Sequence, residues 1–126
     1  MRGFRLQGTA KLLAVANRPV SFFISHRYYD DEREPHLDSL PGWLTELDER
    51  LEDVEHDSVA MTHETGWTIE ISTDGRVTLE NVEDLDVEPR HLPGIPSRQR
   101  LMPLLAALAR GAMAEVERAP WERGYR

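Results

Sequence analysis

The chain has 126 residues, 40% of them hydrophobic and 30% charged, with no cysteine and a formal net charge of −8. A single domain over 1–126 is expected, large enough to bury roughly two-thirds of the surface of the unfolded chain. Zero cysteines exclude a disulfide framework and a thiolate metal site, and no run of about eighteen apolar residues exists to cross a membrane; together these favour the cytoplasm.

Charge is unevenly placed. Residues 1–29 carry five basic groups and no acidic one, residues 30–88 carry twenty acidic groups against Arg33, Arg50 and Arg76, and residues 89–126 carry seven Arg against three Glu. So dense an acidic middle repels polyanions, so no nucleic-acid partner is expected. It attracts a basic protein and accelerates the encounter. A solvated face that only keeps the chain soluble is the plain alternative.

In chain order, residues 1–10 read as an edge segment anchored by Phe4 and Leu6. The run Leu12–Ala16 is too short for a secretory signal, and Asn17–Arg18–Pro19 is no small-residue cleavage site. With Asn17–Arg18 as a loop, Val15 faces Val20 and Leu13 faces Phe22, so 11–16 and 20–26 form a hairpin. Thr9 ahead of the first run also fits a short capped helix there. Phe22, Phe23 and Ile24 favour β structure in the second run. Tyr28 to Pro35 is a polar loop by composition. Asp38 or Ser39 then caps a helix running to about Val54, with Pro41 tolerated in its first turn. Trp43, Leu44, Leu47, Leu51 and Val54 share its buried face, while Glu46, Asp48, Glu49, Arg50, Glu52 and Asp53 fill the outer one.

The stretch GWTIEISTDGRVTLENV, 66–82, alternates apolar and polar residues with the period of two of a half-buried strand. A three-residue loop of Thr73, Asp74 and Gly75, with Gly75 left-handed, pairs Ile71 with Val77, Ile69 with Leu79 and Trp67 with Asn81. A two-residue loop would mix the faces. Val59–Glu64 pairs on the other side through a turn at Thr65–Gly66. Glu83 to Glu88 is an acidic connector, and Pro89 to Pro96 is too rich in proline for regular structure. Ser97 caps a helix whose stripe is Leu101, Leu104, Leu105 and Leu108. Pro103 either separates its first turn or kinks it. Gly111 ends it, and Ala112–Arg118 forms a second piece. Trp121 and Tyr125 pin the tail. This pattern predicts an α+β fold, an antiparallel β-sheet with helices packed on one face.

A search for chemistry is mostly negative. There is no Walker loop, G-x-G-x-x-G, G-x-S-x-G or H-E-x-x-H, and no cofactor is expected. His26, His36, His56, His63 and His91 lack paired helical spacing; a metal held by His26, His63 and a carboxylate would need the fold to bring them together. Glu70 and Glu80 share the polar face of the hairpin with Thr68 and Thr78. A pocket collecting Thr68, Glu70, Thr78 and His63 would point to a small-molecule site, and a flat wet face would remove that reading. Arg90, Arg98 and Arg100 cluster near the start of the last helical region, where an anion could bind; the simpler role is to answer the acids of 83–88.

The segment HLPGIPSRQRLMPLLAALARG followed by AEVERAPWERGY resembles the ending of small actinobacterial proteins. With the GWTIEI–DG–VTLENV hairpin, the whole is similar in size and acidity to immunity proteins of bacterial polymorphic toxin systems. That resemblance implies cytoplasmic residence and a cognate toxin domain as partner, and it carries over no site residue. The expectation is a non-catalytic protein-binding domain that docks acids on a basic toxin domain. The docking residues would be Asp30, Asp31, Glu32 and Glu34 with Glu46, Glu49 and Asp53 of the helix face, anchored by Tyr28 and Tyr29. The alternatives are a small molecule bound on the polar sheet face, or a homodimer through an exposed strand edge.

Overall fold

The computed structural model describes residues 21–28, 30–49 and 56–125. The hairpin expected at its centre is present: β4 (Trp67–Ser72) and β5 (Val77–Asn81) pair Ile71 with Val77, Ile69 with Leu79 and Trp67 with Asn81. Ser72 N–H donates to Arg76 O, leaving Thr73, Asp74 and Gly75 as the loop, and Gly75 has φ +90°. A side chain on Gly75 would be strained there and its Cβ would meet Ile95 at 2.5 Å.

On the other side of β4 lies β3 (Ser58–His63), joined through the turn at 64–66, and β1 (Phe22–Ser25) pairs with β3. Three two-residue strands complete the sheet: β2 (Glu32–Arg33), β6 (Arg90–His91) and β7 (Glu122–Arg123). The order is β2-β1-β3-β4-β5-β6-β7, every neighbour antiparallel. Thus the loop at 28–35, the proline-rich 89–96 segment and the tail each contain a short strand where none was expected. Two residues cannot display a period of two, so pairing there comes from the neighbouring strand.

Among the described residues three α-helices cover one face: α1 (Leu40–Leu44), α2 (Arg98–Ala109) and α3 (Met113–Glu117). Val59, Met61, Ile69, Ile71, Val77 and Leu79 of the sheet meet Leu40, Trp43, Leu44, Leu101, Leu105, Leu108 and Val116 in one buried cluster. The fold is α+β. Ser97 accepts the Arg100 N–H as the cap of α2, and the helix is continuous through Pro103 rather than losing its first turn. Its end is a Schellman closure: Gly111 (φ +74°) N–H donates to Leu108 O, and Ala112 N–H to Ala107 O.

The helix expected from Asp38 or Ser39 to Val54 is not continuous over its described part and is interrupted at Glu49. α1 is flanked by 3₁₀ turns at Leu37–Ser39 and Thr45–Asp48, and Glu49 is extended with ψ 127°. At this break the Arg27 guanidinium donates to the Glu46 and Glu49 carbonyls, satisfying main-chain acceptors at the end of the turn. Capping differs too. Ser39 is itself helical and makes no side-chain cap, while His36 accepts the Asp38 N–H ahead of it. Pro41 sits in the first turn, as expected. The strand or helix considered for 11–16, its loop, Tyr29 and the Arg50, Leu51, Glu52, Asp53 and Val54 part of the helix lie outside the described residues.

Candidate functional site

At the C-terminal end of β1 the chain places His26, Arg27 and Tyr28 in sequence. Arg27 is 3% exposed. Its Nε donates to His56 O at 2.6 Å, its Nη1 to Glu46 O at 2.8 Å and Glu49 O at 3.0 Å, and its Nη2 to the Tyr28 hydroxyl at 3.1 Å. Three main-chain carbonyls, from 46–49 and 56, are thereby gathered on one planar fork, a geometry that lysine does not supply. The Arg27 N–H also donates to Glu46 Oε1 at 3.0 Å.

Beside it His26 is sandwiched between carboxylates: Nδ1 lies 2.5 Å from Glu46 Oε2 and Nε2 lies 3.0 Å from Glu32 Oε1. Only the imidazolium donates from both nitrogens. Burial alone would lower the His26 pKa, but the hydrogen bonds and charges of Glu46 and Glu32 together outweigh it and raise the pKa above the usual value.

Tyr28 remains 38% exposed although its ring is fixed on two sides. The Arg27 guanidinium lies 5.0 Å from its centroid and the His56 ring 5.2 Å from it. Asp30 and Asp31, which follow Tyr28 in the chain, and Glu49, whose carbonyl shares Arg27, are exposed; Glu34 is exposed too but lies at the other end of β1, where its side chain accepts from Ser21 Oγ. Glu32 is exposed as well, but bonded to His26, and Glu46 is turned inward to His26 and Arg27 rather than standing on an outer helix face. Tyr29 and Asp53 lie outside the described residues.

The opposite face of the sheet is not flat. A hollow of about 200 Å³ is lined by Asp57, Ser58, Glu70, Ser72, Arg76, Thr78 and Tyr125. Ser58 Oγ donates to Glu70 Oε2 at 2.7 Å, and the Tyr125 hydroxyl to Glu80 Oε2 at 2.6 Å. That bond, with burial and the charges of Glu80 and Glu70, raises the Tyr125 pKa. The four residues whose gathering in one pocket would point to a small-molecule site are not gathered. Glu70 and Thr78 line the hollow, whereas Thr68 is buried and hydrogen-bonded to Thr62 Oγ1 and Gly66 O. His63 lies on the helix side, where a Cβ on Gly111 would meet its Nε2 at 2.9 Å. Burial lowers its pKa, against the charge of Glu64.

The arginine pairings also differ from expectation. Arg90 holds Glu117, Arg98 holds Asp48, and it is Arg123 that reaches Glu88 in the acidic connector. These partners are near in space and distant in sequence. His26 and His63 do not converge, and among the described residues no group of three or more His, Asp or Glu is placed to hold a metal ion. Sequence reasoning missed Arg27, because one arginine after a strand carries no periodic signal. Among the described residues no helix is long and apolar enough to cross a membrane. Compared with protein-family models, with curated proteins and with solved structures, the chain matches none.

Proposed function

We propose that the chain is a non-catalytic protein-binding domain that presents an acidic surface, centred on Tyr28, to a basic partner. The observation that carries this reading is the immobilised yet exposed Tyr28 ring among Asp30, Asp31 and Glu49. An aromatic anchor held before binding loses little conformational freedom when it docks, and neighbouring carboxylates steer a cationic surface toward it. The specific form is an immunity protein resident in the cytoplasm that covers the basic active site of a cognate toxin domain. Inhibition would then be steric and electrostatic, with no cofactor.

A homodimer through a strand edge has less support. The two described edges, β2 and β7, are two residues long and carry only charged side chains, a form that discourages strand addition.

Co-expression with products of neighbouring genes, followed by affinity capture and calorimetric titration, tests the reading. A basic partner is expected whose affinity falls with added salt and falls roughly ten-fold or more on Tyr28→Ala. Binding indifferent to salt, to Tyr28→Ala and to Asp30→Asn with Asp31→Asn would overturn it.

A further inference from the structure

We propose that the open face of the sheet carries a second binding site, a seat for an alkylguanidinium group such as the head of an arginine side chain. The hollow over β4 and β5 takes Asp57 and Glu70 into its wall, with Glu80 held at its rim by Tyr125. Three of the hydroxyls around it already serve acceptors: Ser58 serves Glu70, Tyr125 serves Glu80, and Ser72 serves Asp74. Arg76 also lines the hollow and is paired with Asp74, with Nε 2.7 Å from Oδ2. What the hollow offers a guest is therefore acceptor capacity and negative charge. The complementary guest carries positive charge and only donors, which describes guanidinium. An anion would face Asp57 and Glu70, so the single arginine does not make this an anion site.

A second, independent observation points to a guest. The Thr78 hydroxyl oxygen exposes less than 1 Å² and has no hydrogen-bond partner among the described residues, and Thr78 lines this same hollow. Buried polar atoms in folded proteins are nearly always satisfied, so an orphan in a pocket wall marks a place where something donates. Tyr125, 62% exposed, borders the hollow, and an aromatic ring there can pack on a planar cation. Asp57 follows His56, which stacks on Tyr28, so the seat adjoins the proposed docking surface without depending on it.

The test is a titration of the ¹⁵N-labelled full chain with ethylguanidinium at low salt, read by amide shifts. Saturable shifts are expected at Glu70, Ser72, Thr78 and Tyr125, weakened about five- to ten-fold by Glu70→Gln and again by Tyr125→Ala. They should be unchanged by Asp31→Asn, which alters only the Tyr28 surface, so the two proposals fail separately. Thermal melts of the variants verify that they remain folded. A blocked Gly-Arg-Gly peptide binding more tightly than ethylguanidinium identifies the guest as a protein side chain; the reverse order identifies a free small cation. Shifts that never saturate, that survive Glu70→Gln in a folded variant, or that appear equally with acetate would overturn the proposal.

Discussion

Arg27 ties one end of the sheet to the segment that follows α1. Replacing it by alanine removes the Arg27 donor from the Glu49 and His56 carbonyls and leaves Glu46 O only the Glu49 N–H, all in a partly buried place. A loss of about 3 kcal/mol in unfolding free energy is expected for Arg27→Ala by denaturant titration, and Arg27→Lys should recover less than half of it. Two histidines act in opposite senses. His26, raised from 6.5, stabilises the fold fully below that value, and its contribution is lost as pH rises through its folded pKa. His63, lowered from 6.5, contributes above that value and is lost as pH falls through its folded pKa. An NMR titration should therefore find His26 titrating above 6.5 and His63 below. Both residues were visible in the sequence as histidines; their environments were not, since Glu46 and Gly111 reach them across the fold.

Among the elements, the β4–β5 hairpin was the most legible because three local signals agree. Trp67, Ile69 and Ile71 alternate with polar residues, Val77 and Leu79 continue the row, and only Gly75 suits φ +90°. The break between α2 and α3 was legible for the same reason. Gly111→Ala places a Cβ in a left-handed residue and against His63, so a loss of about 1–2 kcal/mol is expected in thermal unfolding. The helix after Pro41 misled. Leu47, Leu51 and Val54 keep helical spacing in the sequence, yet the chain turns extended at Glu49, where Arg27 holds Glu46 O and Glu49 O. Tertiary hydrogen bonds to main-chain carbonyls override local propensity there.

For the whole molecule, acids outnumber bases by eight, and the arginine–carboxylate pairs are mostly exposed. Exposed pairs contribute little, whereas like-charge repulsion acts over the entire surface and is screened by salt. Added sodium chloride is therefore expected to raise the melting temperature. A fall instead would mean that the ion pairs dominate.

The period of two, the Gly and Pro positions and the acidic middle were enough, read along the chain, to determine an antiparallel sheet with helices on one side, because each of those signals is local. Arg27 as a hub, the capture of Glu46 by His26, the two-residue edge strands and the hollow under Tyr125 were decided only by tertiary structure. Each joins residues whose separation along the chain leaves no pattern, and only the packing of the sheet brings them within hydrogen-bonding distance.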